Sequence, residues 1–223
     1  MDSNAARFWV LGRRRPGDID GADTEFLEFG SVNMGEAPRC PKCGLFVGML
    51  EWLPPYQVQL ICRGEKFGDL VYGAGLDVLV SDGFRQLYMV EGLTGLTGFD
   101  PVEVVKIRRR KRNRSTPPHY FRAAPVRSSA GIDLTASGCE WEPPPTCDAC
   151  RVSTIVSRWR RIVIETGTWS GEDVFVARGL PGTVLASERF MTVCKRHGVL
   201  NALLLPAEEY SKDFYPLGKS GQS

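Results

Sequence analysis

The sequence predicts an α+β fold of two similar lobes, each a small sheet that carries one short helix. Three observations lead there: patterns recur at an offset of about 105 residues, extended apolar runs outnumber helical ones, and each half holds one C-x-x-C pair. The length agrees, because 223 residues suit one large domain or two small ones.

The repeat is an ordered series of matches. Val78-Leu79-Val80-Ser81-Asp82-Gly83-Phe84 aligns with Val184-Leu185-Ala186-Ser187-Glu188-Arg189-Phe190 at an offset of 106, and the match continues through Leu87 with Val193 and Gly92 with Gly198. Upstream, Asp69-Leu70-Val71-Tyr72 aligns with Asp173-Val174-Phe175-Val176 at 104, and Pro181-Gly182 is a two-residue insertion in the second copy. Downstream, Pro101-Val102-Glu103 aligns with Pro206-Ala207-Glu208 at 105. A period this long is tested before any local pattern, and we read the series as an internal duplication.

Taken in chain order, the first strand is expected at 7–11 and a second at 56–62, where Val58, Leu60 and Cys62 alternate. The first helix begins at Ser81, an N-cap residue followed by Asp82 at the positive end of the helix dipole. Its apolar face is Phe84, Leu87 and Tyr88, and Gly92 closes it. An extended run follows at 102–107, and a further strand is expected at 161–165. The second helix repeats the grammar with Ser187, Glu188, Phe190, Val193, Cys194 and Gly198, and a last extended run covers 202–205. The expected organisation is a first lobe over 1–105, a basic, proline-containing linker over 106–125, a second lobe over 126–215 and a flexible tail over 216–223.

Charge is unevenly spread. The chain has 28 basic and 26 acidic residues, but seven of the bases lie between Lys106 and Arg114, leaving a remainder of net −5. Arg108, Arg109, Arg110 and Arg112 make this strip a candidate for nucleic acid or phosphate, or else a solvated strand end that discourages edge pairing. Near the N-terminus, Asp18, Asp20, Asp23, Glu25 and Glu28 form the opposite bias and a candidate surface for a basic partner. Trp169 lies in what reads as an exposed aromatic turn, a further candidate contact. No apolar run approaches the roughly 20 residues of a membrane span, no secretory leader is evident, and the thiols are expected to be reduced in the cytoplasm.

The cysteines carry the chemistry. Cys40-Pro41-Lys42-Cys43-Gly44 and Cys147-Asp148-Ala149-Cys150 are two C-x-x-C pairs set 107 residues apart. Zinc takes four thiolates in closed structural sites, and two such knuckles supply them. Cys40, Cys43, Cys147 and Cys150 are therefore the expected ligands of one structural Zn2+ that joins the lobes. Gly44 suits the turn of the first knuckle, whereas Arg151 makes the second less regular. A redox-active pair and a ligand role for Cys139 are the competing readings. Cys62 and Cys194 fall on apolar faces as core thiols.

Catalytic patterns are thin. Two histidines, His119 and His197, cannot build a three-histidine metal site, and no phosphate-binding loop, nucleophile elbow or H-E-x-x-H motif occurs. The chain is not expected to be an enzyme.

Arg7-Phe8-Trp9-Val10-Leu11, Gly17-Asp18-Ile19-Asp20, the knuckle from Cys40 to Gly44 and the pair Cys147 to Cys150 resemble the bacterial double-CxxCG motif proteins. So do Asp173-Val174-Phe175, Leu180-Pro181-Gly182, Ser187-Glu188-Arg189-Phe190 and Pro206-Ala207-Glu208-Glu209-Tyr210, so that the resemblance covers most of the chain. Arg151 departs from it, standing where the second motif has glycine. The resemblance implies an immunity protein of a kin-discriminating polymorphic toxin system, which binds a cognate toxin domain in the cytoplasm and neutralises it by stoichiometric occlusion. The alternative is a zinc-ribbon nucleic-acid-binding protein that uses the arginine strip.

Overall fold

Two-residue alternation and β-branched runs place most of the regular secondary structure in strands, and the computed structural model describes residues 6–15, 21–109 and 115–213. The expected tail at 216–223 and the candidates Asp18, Asp20, Arg110 and Arg112 lie outside the described residues. The first half contains β1 (Phe8–Leu11), β2 (Thr24–Glu28), β3 (Asn33–Met34), β4 (Trp52–Leu53), β5 (Gln57–Cys62), β6 (Leu70–Tyr72), β7 (Val78–Ser81), α1 (Asp82–Val90) and β8 (Leu96–Arg109). The second contains β9 (Tyr120–Gly131), β10 (Glu140–Glu142), β11 (Ile155–Trp159), β12 (Val174–Arg178), β13 (Val184–Ser187), α2 (Glu188–Arg196), β14 (Leu204–Pro206) and β15 (Lys212–Asp213). The fold is α+β, with a large sheet and two helices among the described residues.

Ten strands form one sheet in the order β14-β1-β13-β12-β9-β7-β6-β2-β5-β8, and β8 returns to pair with β9. The six strands from β9 round to β8 therefore close into a barrel. Closure needs β8 to serve two neighbours, pairing with β9 from Leu96 to Val102 and with β5 from Glu103 to Arg109. The ladder slips between Gly98 and Asp100, where Gly98 and Phe99 both take positive φ, 94° and 55°. A bulge of this kind bends a strand. Phe26, Val58, Leu60, Phe67, Val71, Leu79 and Tyr120 fill the barrel, and the Tyr120 hydroxyl donates to the Gly68 carbonyl at 2.7 Å.

The halves interleave. β1, from the first half, pairs with β13 and β14 of the second. β9, which opens the second half, pairs with β7 and β8 of the first before running parallel to β12. Residues 106–109 and 120–125, read from the sequence as linker, are thus strand. Pro125 is tolerated inside β9 because it sits where the partner changes, and the next amide, Val126 N–H, bonds the Gly95 carbonyl at 2.8 Å.

Both helices lie on one face of the sheet and share a core. Phe84, Tyr88, Phe190, Val193 and Cys194 pack there on Val78, Val80, Val174, Val176, Val184 and Ala186, and the rings of Phe84 and Phe190 meet edge to face at 6.1 Å. On the opposite face of the second half, Phe175, Ala177 and Leu185 pack with Phe8, Trp159, Ile162 and Tyr210. Alternate residues of β12 and β13 thus enter different cores, so both faces are buried and the strands read as continuous apolar runs.

The two strand-helix units have matching caps. Ser81 Oγ accepts from Phe84 N–H and Ser187 Oγ from Phe190 N–H, both at 3.1 Å. Each hydroxyl donates to a carboxylate at 2.7 Å, Ser81 to Asp69 and Ser187 to Asp173. The other oxygen of each acid holds the loop after the opposite helix: Asp69 accepts from Leu200 N–H at 2.9 Å, and Asp173 from Thr94 N–H at 3.0 Å.

Elsewhere the sequence reading needs correction. Residues 161–165 are not a strand; their backbone bonds scatter to Ala207, Asp133, Gly131 and the Ser137 side chain. The neighbouring strand is β11, which pairs with β10 and β15 in a separate three-stranded sheet. No helix among the described residues is long and apolar enough to cross a membrane.

Candidate functional site

Between β2 and β5 the chain leaves the barrel as a narrow ribbon. Asn33 pairs with Leu53 and Met34 with Trp52, Gly35 N–H bonds the Glu51 carbonyl at 2.8 Å, and Arg39 bridges to Phe46. The ribbon's base is fastened by Trp52, which is buried and stacks on Phe26 with ring centroids 5.8 Å apart. Its tip is the first knuckle.

Both knuckles use one turn. Gly44 N–H bonds the Cys40 carbonyl at 2.9 Å, and Arg151 N–H bonds the Cys147 carbonyl at 2.8 Å. The turn requires a left-handed residue after the second cysteine: Gly44 has φ 76° and Arg151 φ 57°. Arg151 therefore does not spoil the second knuckle, as its sequence implied, but adopts the glycine conformation at a cost. Its side chain offsets part of that cost, with Nη1 donating to the Ile132 carbonyl at 3.0 Å and Nη2 paired with Glu165 at 2.5 Å.

The four sulfurs meet. Cys40 and Cys147 Sγ are 3.9 Å apart, Cys43 and Cys150 Sγ 3.6 Å apart, and all four lie within 4.8 Å of one another. A tetrahedron with metal–sulfur bonds of about 2.3 Å has sulfur–sulfur edges of roughly 3.8 Å. The donor set fits a zinc-sized, thiophilic ion, and these distances far exceed the roughly 2.05 Å of a disulfide. All seven cysteines are free.

Backbone amides prepare the site. Amides of Cys43 and Lys42 pull the Cys40 thiol down to about 7, and those of Cys150 and Ala149 lower Cys147 despite some desolvation. The Leu45 amide pulls on Cys43, but desolvation and the neighbouring thiols outweigh it and its pKa rises; burial pushes Cys150 up to about 12. The amides of each turn thus favour the thiolate of its first cysteine, the form in which a thiol ligates a metal. Val152, Val47, Trp141 and Ala149 form the apolar shell. Two arginines on adjacent strands tie the knuckles to the sheet: Arg127 of β9 donates to the Val47 carbonyl at 3.3 Å, and Arg178 of β12 to the Asp148 carbonyl at 3.3 Å. These cations suit the net negative charge of a four-thiolate site.

The remaining cysteines are accounted for by the core. Cys139 packs against the second-half core, its thiol raised by burial to about 11, and Cys194 of α2 faces the core that the helices share, raised by burial to about 12. Cys62 is wholly buried inside the barrel.

The other candidates are not brought together. Asp23 faces Arg63 at 3.4 Å and Arg14 at 3.7 Å, and Glu25 pairs with Arg63 at 2.7 Å, which lowers its pKa. Two members of the supposed acidic patch are thus answered within the chain, and Glu28 is half-buried at the end of β2. Arg108 and Arg109 are exposed at the end of β8, where Arg109 lies over the Phe67 ring at 5.3 Å. Trp169 is a packing residue: its ring meets Phe8 edge-on at 5.1 Å, and its indole N–H donates to the Glu172 carbonyl at 3.1 Å.

Comparison adds no family. No family model and no curated protein matches this chain. Sequence reading passed over the apolar residues flanking the first knuckle, Met34, Phe46, Met49 and Leu50, all of which are exposed. The available signal was their lack of any helical or strand period.

Proposed function

We propose that this chain is an immunity protein, which binds a cognate toxin domain in the cytoplasm and blocks it by stoichiometric occlusion. The observation that carries the reading is the meeting of the two knuckles, 107 residues apart, in one four-cysteine cluster. They are two of the segments on which the resemblance to double-CxxCG proteins rests. A closed four-sulfur site leaves a metal no open coordination position, so its use is to hold a surface in shape rather than to perform chemistry. Cys40, Cys43, Cys147 and Cys150 would hold one zinc ion, which supplies rigidity when bound. Binding by a preorganised surface loses less entropy than binding by a mobile one. The paired Ser-Asp caps and interleaved opening strands support descent of both halves from one module.

The test is co-expression with the toxin encoded beside the gene. Rescue of growth together with a one-to-one complex is expected, and failure of both would remove the reading. Native and denaturing mass spectra should differ by one zinc, a difference that Cys40→Ser abolishes.

A further inference from the structure

We propose that the ribbon between β2 and β5 is the face that meets the partner protein. It takes a segment that sets an apolar side chain against Met49 and Leu50 and a lysine or arginine against Glu36 and Glu51. The proposal rests on the immunity reading and names its surface.

The ribbon holds an unusual share of the exposed apolar surface. Val32, Met34, Leu45, Phe46, Met49 and Leu50 are all exposed, Phe46 at 54% and Leu50 at 57%. Large apolar groups in such density on one short segment mark an interaction site rather than ordinary surface scatter. The ribbon also borders depressions in the sheet behind it. Met49 and Leu50 line a cavity of about 240 Å³ with Leu76 and Pro125, and Leu45 and Phe46 line another of about 460 Å³ with Trp141 and Trp159. With Trp52 holding the base and the cysteines gathered at the tip, this apolar surface is fixed before any partner arrives.

Charge selects the occupant. Glu36 and Glu51 are exposed, line the same cavity as Met49 and Leu50, and come from the facing arms of the ribbon beside the Gly35–Glu51 rung. Neither has an ion-pair partner among the described residues, whereas Asp77 in that cavity is taken by Arg122 at 2.8 Å. Arg127 lines the same cavity and feels Glu51, but its Nε donates to the Val47 carbonyl and neither carboxylate has an ion pair among the described residues; two such acids beside apolar side chains favour a basic, apolar segment. A second copy of this chain would have to set these acids against its own exposed Arg39 or Lys42 rather than against each other, and the oligomeric state of the wild type separates that case below.

The test titrates the zinc-loaded chain with the toxin domain encoded beside its gene and compares four variants by calorimetry and interferometry. Leu50→Glu is expected to weaken binding at least 100-fold. The pair Glu36→Lys and Glu51→Lys should weaken it at least 10-fold, mainly through a slower on-rate at low salt. Met89→Glu with Val90→Glu, on the exposed end of α1, should stay within 2-fold. One zinc per chain shows that the knuckles are retained in each variant, and an unchanged urea unfolding midpoint shows that the cores are. If the wild type binds and Leu50→Glu binds equally well, the ribbon proposal falls while the immunity reading stands. Loss confined to Arg108→Glu with Arg109→Glu overturns it in favour of the basic strip, and a wild-type dimer dissolved by Leu50→Glu would give the ribbon to a second copy. No complex with the wild type removes both proposals.

Discussion

Stripping the metal should release the ribbon and leave the barrel folded. Of the fifteen residues from 36 to 50, Cys40 is the one that is buried. Their local backbone bonds gather at the knuckle: Cys40 N–H to the Leu45 carbonyl, Gly44 N–H to the Cys40 carbonyl and Val47 N–H to the Pro38 carbonyl. Ordering fifteen residues at about 1 kcal/mol each costs roughly 15 kcal/mol. A structural zinc site contributes about 10–16 kcal/mol at neutral pH. With so little apolar burial in the segment, a metal on the four cysteines would be the one contribution of the right size. The three large cores contain none of the four ligands, so their stability does not depend on it. In hydrogen exchange followed by mass spectrometry, a chelator should therefore deprotect the amides of Cys40, Gly44 and Val47 while those of Phe84 and Phe190 remain slow. Cys40→Ser should reproduce the pattern. Simultaneous exchange of every amide would mean that the metal holds the whole fold, and an unchanged ribbon would mean that it holds nothing.

Two further perturbations separate energetic roles within the scaffold. Asp173, 2% exposed, accepts from Ser187 Oγ at 2.7 Å, Thr94 N–H at 3.0 Å and Arg189 Nη1 at 2.8 Å. Asp173→Asn turns an amide donor toward one of these donors and should cost about 3 kcal/mol, the low end for a broken buried pair because Arg189 is half in solvent. That corresponds to a fall of roughly 6–12 °C in Tm for a chain of this size. Asp69→Asn should cost less, since Gly83 stands at the repeat position of Arg189 and brings no cation; equal losses in urea unfolding would show that the ion pair contributes nothing. Arg151 carries a left-handed strain of about 1–2 kcal/mol against a hydrogen bond and an ion pair of similar total worth. Arg151→Gly should thus change stability by less than about 1 kcal/mol, while Arg151→Ala keeps the strain, loses the contacts and costs about 2 kcal/mol. The reverse order, read from unfolding midpoints, would contradict the left-handed turn.

The helices were legible because their signals are local. Ser81 and Ser187 bond amides three residues on, and Phe84 and Phe190 follow at fixed spacing, so a short window contains the whole cause. Strand partnership has no such window. The apolar run Phe8–Leu11 says that a strand forms, but nothing in it says that its neighbours are β13 and β14 rather than strands of its own half. The same holds for β9, where Pro125 reads as a linker residue until it is seen to mark a change of partner. The knuckles were legible through ligand chemistry, which constrains residue type and spacing whatever the topology. Surface electrostatics behaved in the opposite way. Asp23 and Glu25 stand close in sequence and look like a patch, yet Arg63 and Arg14 reach them across the fold. Glu36 and Glu51 are fifteen residues apart and look unrelated, yet the ribbon sets them beside one rung and along one cavity with Met49 and Leu50. Clustering along the chain measures potential charge only; how much of it stays unpaired is decided by the ion pairs that the fold makes, as Asp23 and Glu25 show.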